Sequence, residues 1–383
     1  MINKFNEPIM ITRSLLPSLD NFNNQLKEIW ESKWVTNNGP KNKELIEALK
    51  DYLTVDDLSL FSNGTLGLLL GIKSLELSGE VITTPFTFPA TVAALEWNGL
   101  TPVFCDIDHV TLNIDANKIE SLITERTSAI LGVHVFGNPC EVDKIQKVAD
   151  NYHLKVIYDG AHAFGVKLNG NSIGKFGDMT IFSFHATKLF NTIEGGAVTF
   201  KDKTLSKKLQ LIKNFGISGP ETVELPGINA KLNEIQAAVG LEVLKLVPEE
   251  RKKRHHIKQL YETNLKSIPG IRILTKHKKQ ESSYQFFVIE IDKREFGMNR
   301  NQLHEMLKDY NVFTRKYFYP LCSNFSWYQD LPSAQQKNLP IAHEKVEKVL
   351  SLPFYGGVTN QEVKQICDII EFIQTSASNT SSE

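Results

Sequence analysis

From about residue 43 to 200 the chain alternates short apolar runs with stretches of helical periodicity, and few folds accommodate that alternation. Glu80–Thr84, Pro102–Asp106, Ala129–Phe136, Lys155–Tyr158, Thr180–Phe184 and Ala197–Phe200 are mostly continuous apolar or β-branched runs, the pattern of strands buried on both faces. Leu66–Leu75, Ala90–Asn98, Asp115–Ile123 and Val142–Tyr152 read as the intervening helices. Strands alternating with helices predict βαβ units on a largely parallel sheet, an α/β domain. A second region starts near residue 230. It holds a helix at Glu234–Leu246, then Pro248 and the run EERKKRHH, which reads as the solvated face of a long helix. A strand at Tyr284–Ile291, a helix at Arg300–Tyr310, a strand at Val312–Tyr319 and a helix at Asn360–Thr375 follow, predicting a smaller α+β domain. The expected division is an N-terminal arm at 1–35, a large domain at 36–245, a small C-terminal domain at 246–376 and a Ser-rich disordered tail at 377–383.

Charge and cysteine content narrow the function classes. Lys and Arg total 43 against 44 Asp and Glu, a formal net charge of −1, which argues against a polyanionic partner such as nucleic acid but not against a small anionic ligand. The longest apolar run, near Leu66–Ile72, is broken by Gly67 and Gly71 and falls far short of the roughly 20 residues that span a bilayer. The opening MINKFNEPIM has no signal-peptide core. Cys105, Cys140, Cys322 and Cys367 form no CxxC pair, so reduced thiols are expected, with neither disulfides nor a zinc cluster. The expectation is a cytoplasmic protein with no membrane, nucleic-acid or metal partner.

Several familiar motifs fail. Gly170–Lys175, within NGNSIGK, has its glycines one residue too close for a P-loop and Phe176 in place of Ser or Thr, so it reads as a turn. No GxGxxG opens the first βα unit and no HExxH occurs. His255-His256 lie in a basic helix, and His134, His153 and His162 are too scattered to make a metal site.

Four other stretches combine. Asn63-Gly64-Thr65 precedes an apolar helix, and free N–H groups with the helix dipole make such a turn either a phosphate site or an ordinary N-cap. In VIYDGAH, Asp159 follows an apolar strand, where α/β sheets collect ligands; it could bind a metal, cap a helix or pair with a ring nitrogen. In FSFHATK, followed by Glu194-Gly195-Gly196, Lys188 stands in a loop between buried strands. It is either a surface lysine or a desolvated amine with a lowered pKa, able to act as a nucleophile. In TPFTFP, Phe88 follows a strand end and either fills core or covers a flat ring. Amine, acid, phosphate cup and stacking surface are the parts pyridoxal 5'-phosphate requires, although spacing alone does not single out that cofactor.

These stretches resemble the DegT/DnrJ/StrS family of nucleotide-sugar aminotransferases, within fold type I of the pyridoxal-phosphate enzymes. The matching segments are TNNGP at 36–40, SNGTLGL at 62–68, TTPFTFPATVAAL at 83–95, VIYDGAHAFG at 156–165, FSFHATKLFNTIEGGAV at 182–198, GINAKLNEIQAA at 227–238 and VFTRKYFYPL at 312–321. The resemblance implies an aspartate aminotransferase-like fold with a mostly parallel sheet in the large domain. It implies that Lys188 bonds to the cofactor's aldehyde and later moves the substrate proton, and that Asp159 pairs with the pyridinium nitrogen. It further implies that Phe88 stacks on the ring, that Gly64, Thr65 and Ser183 hold the phosphate, and that His162 lies near the 3-hydroxyl. Asn229 would reach the phosphate of a neighbouring subunit, making a homodimer with shared sites.

The segment HATKLFNTIEGG is most similar to members that take dTDP-4-keto-6-deoxy-D-glucose and L-glutamate to dTDP-4-amino-4,6-dideoxy-D-glucose and 2-oxoglutarate, for O-antigen and other glycan biosynthesis. Amination at C3 of a dTDP-3-keto-6-deoxyhexose is the alternative. A non-catalytic regulatory relative would carry a DNA-binding appendage or a degraded site, and neither is visible. A dehydratase branch has histidine at the lysine position, so Lys188 favours transamination. Tyr317 stands where many members have histidine, and Lys33, Arg315 and Lys316 are the basic candidates for the diphosphate or the donor carboxylate.

Overall fold

The computed structural model describes residues 2–274 and 280–380. Seven strands form one sheet in the order Leu58–Phe61, Gly196–Phe200, Met179–Ser183, Lys155–Asp159, Thr127–Val133, Glu80–Thr83 and Thr101–Phe104. Neighbouring strands from Met179–Ser183 to Thr101–Phe104 pair in parallel, and Gly196–Phe200 runs against both of its neighbours. Successive side chains of a strand point to opposite faces. Accordingly Phe61, Ile181 and Val198 join the cluster under the helix Gly64–Ser74, while Leu60, Phe182 and Ala197 join the cluster under the helices Pro40–Leu53 and Glu234–Leu265. Both faces are therefore covered, which is why the strands read as unbroken apolar runs.

The C-terminal unit sets the antiparallel strands Ile271–Ile273, Phe287–Ile291 and Val349–Leu352 against the helices Arg300–Asp309 and Asn360–Thr380. Phe5 and Ile9, from the chain's beginning, are buried in the same cluster, and Ile9 bridges to Val312.

The structure departs from the sequence reading at several places. The strand Leu58–Phe61 and the helices Leu19–Ser32, Pro40–Leu53 and Thr204–Ile212 add to the expected elements. The run from Ala129 stops as a strand at Val133, because Phe136 adopts a left-handed backbone with φ 54°. Tyr284 is left-handed too, with φ 52°, so its strand begins at Phe287. Val312–Tyr319 is not a strand: within it only Val312 and Arg315 make bridges, and a turn bond from the Tyr319 N–H to the Lys316 carbonyl folds the chain back.

The helix expected to stop at Leu246 runs 32 residues to Leu265 with Pro248 inside it, across the expected division at 245/246. It continues because Ile257, Tyr261 and Leu265 are buried in the C-terminal cluster. Nor is EERKKRHH wholly a solvated face. Arg254 is 1% exposed and its Nε donates to Glu250 Oε1 at 2.6 Å, while Nη1 donates to the Tyr284 carbonyl at 3.2 Å and the Gly356 N–H donates to Glu250 at 2.8 Å. The tail expected to be disordered from 377 is helical through Thr380. Hydroxyl bonds from Thr375 to the Glu371 carbonyl and from Ser376 to the Phe372 carbonyl accompany it, and Ala377 packs on the core. Residues 381–383 lie outside the described residues. Among the described residues no helix is long and apolar enough to cross a membrane.

Removing one partner of a buried ion pair leaves an uncompensated charge, at a cost of about 3–5 kcal/mol. Glu250→Ala is expected to lower stability by that amount in urea unfolding. A loss under about 1 kcal/mol would contradict a structural role for the Glu250–Arg254 pair.

Candidate active site

Because the parallel strands point the same way, their carboxyl ends meet along one edge, the edge where α/β sheets bind ligands. Asp159 and Ser183 are the last residues of their strands, and Gly64 follows shortly after the strand ending at Phe61. A cavity of about 510 Å³ opens there, lined by Gly64, Thr65, Phe88, Asp159, His162, Ser183 and Lys188 among others. Seven of the eight candidate residues therefore meet in one cavity. The eighth, Asn229, stands exposed in a separate loop and does not line it.

Asp159 is 5% exposed. Its Oδ2 accepts from the Thr91 hydroxyl at 2.7 Å and its Oδ1 from the Ala161 N–H at 3.0 Å. Thr91 has one proton to give and gives it to Asp159, so its contact with Thr87 at 2.8 Å is made by the Thr87 hydroxyl donating. Burial raises the carboxyl pKa, and the two hydrogen bonds and the charge of Lys188 only partly offset it. Lys188 responds in the opposite sense. Desolvation, opposed by Asp159 and reinforced by Arg315, pulls its amine down to about 8.

His162 is held neutral, its pKa pushed well below the usual value by burial first and then by the charge of Lys188. It stacks parallel to Phe318 at 5.6 Å and meets the edge of Phe286 at 4.6 Å, yet its Nδ1 is buried with no hydrogen-bond partner among the described residues. Asn63 caps the helix Gly64–Ser74 by accepting from the Leu66 N–H at 2.8 Å, which sets Gly64 and Thr65 at its positive end. A Cβ on Gly64 would come within 2.9 Å of the Ser183 Cβ, so glycine alone lets the cup close against that strand. Phe88 is 52% exposed despite its size, an aromatic face bared to the cavity.

Of the three basic candidates only Arg315 lines the cavity; Lys33 and Lys316 do not. The Arg315 guanidinium lies 5.1 Å from the centre of the Tyr317 ring, and Tyr317 also lines the cavity. His134 is buried and held neutral at about 3 behind the Asp159 backbone, to whose carbonyl its N–H donates. His255 contacts Tyr284 and His256 contacts Asn360, both away from the cavity. Gly170 turns between two short strands, as expected. Sequence reasoning missed Thr91 and Gln285, whose role depends on contacts 68 and 96 residues away along the chain.

A cleft that bares an enclosed amine, a buried carboxylate, an unpartnered ring nitrogen and a helix N-terminus fits pyridoxal 5'-phosphate feature by feature. The sequence profile of the DegT/DnrJ/EryC1/StrS aminotransferase family matches residues 18–371, and the chain belongs to that family. It is 46% identical to the dTDP-4-amino-4,6-dideoxy-D-glucose transaminase of Escherichia coli over 365 residues, 94% of this chain and 98% of that one. DesI, solved in the presence of its TDP-sugar product, superposes with a TM-score of 0.94 at 34% identity, covering 99% of this chain and 96% of its own. Spr1654 of Streptococcus pneumoniae, in its PLP-form, superposes at 0.88 with 25% identity, covering 96% of this chain and 99% of its own. The fold is the α/β arrangement of fold type I, and the cofactor is pyridoxal 5'-phosphate.

Only the neutral amine of Lys188 can attack an aldehyde. With the amine at about 8, its neutral fraction rises with pH across the neutral range. Uptake of pyridoxal 5'-phosphate by cofactor-free protein, followed by absorbance, is therefore expected to quicken about tenfold from about pH 7 to about pH 9. A rate that is flat or falling over that interval would contradict the assignment of Lys188.

Proposed function

We propose that the chain transfers the amino group of L-glutamate to the keto carbon of dTDP-4-dehydro-6-deoxy-D-glucose, giving dTDP-4-amino-4,6-dideoxy-D-glucose and 2-oxoglutarate. The observation that carries the reaction class is the partly buried Lys188 amine in one cavity with the buried Asp159 carboxylate. The likeness over nearly the whole chain to a transaminase of that name supports the substrate. The TDP-sugar product of DesI supports the nucleotide.

Once bound, the cofactor supplies an electron sink for the carbanion formed at the donor's α-carbon. The protein's residues do the rest. Gly64, Thr65 and Ser183 bind the phosphate, with the helix dipole behind them. Phe88 offers its face to the ring. The Asp159 carboxylate, kept in place by Thr91 and the Ala161 N–H, would hold a proton on the ring nitrogen and remain ionised by doing so. His162 Nδ1, buried without a partner among the described residues, would be available to a polar substituent of the ring. Lys188 Nζ, when neutral, would take the donor's α-proton and return it. Phe286 and Phe354 help keep bulk water from the amine. Arg315 borders the cavity with its charge and is available to an anionic group of donor or acceptor.

We propose further that two copies of the chain share their sites through Asn229. The loop that carries it bares Phe215, Ile217, Val223 and Ile228, an apolar surface that a second copy would cover.

Incubation with L-glutamate and dTDP-4-keto-6-deoxy-D-glucose, followed by NMR of the product, is expected to show a new C–N bond at C4 with matching release of 2-oxoglutarate. Nitrogen at C3 would overturn the substrate assignment, and no turnover would overturn the reaction. Lys188→Ala should abolish both turnover and the visible band of the lysine-bound cofactor.

Mixing inactive Lys188→Ala with impaired Asn229→Ala is expected to regenerate one intact site per mixed dimer, roughly a quarter of wild-type activity. No recovery under conditions where subunits exchange would rule out sharing through Asn229.

A further inference from the structure

Lys188 sits in the loop between the strands Met179–Ser183 and Gly196–Phe200, and no regular element carries it. Bonds within the loop hold its two ends. The Phe184 N–H donates to the Gly195 carbonyl, the Thr192 N–H to the Phe184 carbonyl and the Lys188 N–H to the His185 carbonyl. The peptide groups on either side of the lysine are held from outside the loop by one side chain. Gln285 Oε1 accepts from the Leu189 N–H at 2.7 Å, and Gln285 Nε2 donates to the Thr187 carbonyl at 3.0 Å. A carboxamide presents one acceptor and two donor hydrogens at fixed separation, so it can satisfy an N–H and a carbonyl together. Gln285 is 7% exposed and lines the cavity beside Lys188. It belongs to the C-terminal unit, just ahead of the strand Phe287–Ile291, and its neighbour Phe286 packs on His162.

We infer that Gln285 is a positioning residue: its amide fixes the peptides flanking Lys188 and so sets the direction in which the amine enters the cavity. The inference rests on the proposed role of Lys188 in transamination. Neither bond touches the amine itself, so the effect is on orientation. A misplacement of about 1 Å at a reacting group costs on the order of a hundredfold in rate.

Three forms of residue 285 separate this role from simple packing. Gln285→Met keeps the volume and loses both bonds. Gln285→Glu keeps both when its carboxyl is protonated, since the O–H can donate to the Thr187 carbonyl, and opposes oxygen to oxygen when ionised. Besides Lys188 itself, the charged or titratable groups that share this cavity are Asp159, His162, His185, Glu194, Arg315 and Tyr317, and they are common to all three forms.

In the holoenzyme, kcat of Gln285→Met is expected to fall about tenfold to a hundredfold, with KM for glutamate changed less than about threefold. The kcat of Gln285→Glu relative to wild type is expected to rise as pH falls from about 8 to about 6. In cofactor-free protein, the pH midpoint for acetylation of Lys188 by acetic anhydride, read by mass spectrometry, should lie at about 8 in wild type. It should move up by at least about half a unit in Gln285→Met as the amine swings toward water.

A kcat within about twofold of wild type together with an unmoved midpoint in Gln285→Met would overturn the inference. So would a flat Gln285→Glu ratio, which carries the test alone if the methionine variant does not fold. Failure of wild-type protein to take up pyridoxal 5'-phosphate would defeat the functional reading instead, and the acetylation midpoint would still test the clamp.

Discussion

An ammonium group deprived of water must find a carboxylate or surrender its proton, and the wall that holds Lys188 leaves it between the two. Burial disfavours the charge and Arg315 adds to that, and together they outweigh the stabilisation from Asp159, bringing the amine to about 8. The balance depends on Asp159 being already engaged. With Oδ2 taken by Thr91 and Oδ1 by the Ala161 N–H, the carboxylate is anchored to the sheet edge and does not swing over to close an ion pair with the lysine. A tight pair would keep the amine charged and make it useless as a nucleophile. The same anchoring leaves Asp159 lining the cavity, where a cationic ring nitrogen would relieve the cost of its burial.

The sheet makes this possible by geometry alone. Residues at the ends of adjacent parallel strands are brought into register by the ladder, as Asp159 is with Ile181 and with Val133. The reversal of Gly196–Phe200 then returns the chain from the lysine loop to the same edge, so that Ser183 pairs directly with Gly196 and Glu194 also borders the cavity. Close approach is needed there. A Cβ on Gly196 would fall 2.7 Å from the Gly64 backbone, which explains why EGG follows the lysine and NGT precedes the helix.

What could be read from the sequence follows the range over which each feature is encoded. Buried strands declare themselves in four to seven consecutive residues, and candidates stand out at or just beyond their ends, so Asp159 and Lys188 were legible with the strands, whereas Ser183 and His162 were named only by the family resemblance. Leu58–Phe61 is as long as Glu80–Thr83 but was missed, since only Ser62 and Asn63 separate it from the apolar helix Gly64–Ser74. Val312–Tyr319 has the composition of a strand, yet its apolar side chains serve the ring cluster of Phe318, Phe136 and His162, and its backbone has only isolated partners. Thr91 in an apolar helix and Gln285 before an apolar strand look like ordinary polar interruptions. Their meaning appears only when the chain folds and sets each beside a residue far away in sequence.

The long helix Glu234–Leu265 shows why the two units cannot be treated separately. At its start, Glu234 accepts from the Lys41 and Asn42 N–H groups and so caps the helix Pro40–Leu53 of the large unit. Further along, Arg254 holds the Tyr284 carbonyl and Glu250 holds the Gly356 N–H of the C-terminal unit. Tyr284 is the residue before Gln285, and Gln285 grips the peptides on either side of Lys188. The buried Glu250–Arg254 pair is thus joined, through Tyr284 and Gln285, to the peptides that flank Lys188. Ion pairs of this kind contribute little net stability over apolar packing, and their worth lies in fixing one arrangement among several. In this chain the arrangement fixed is the loop from Ser283 to Phe286, which supports the lysine with one residue and the histidine ring with the next. A shift of the C-terminal unit relative to the sheet would therefore reach the amine through hydrogen bonds before it reached it through the cavity wall.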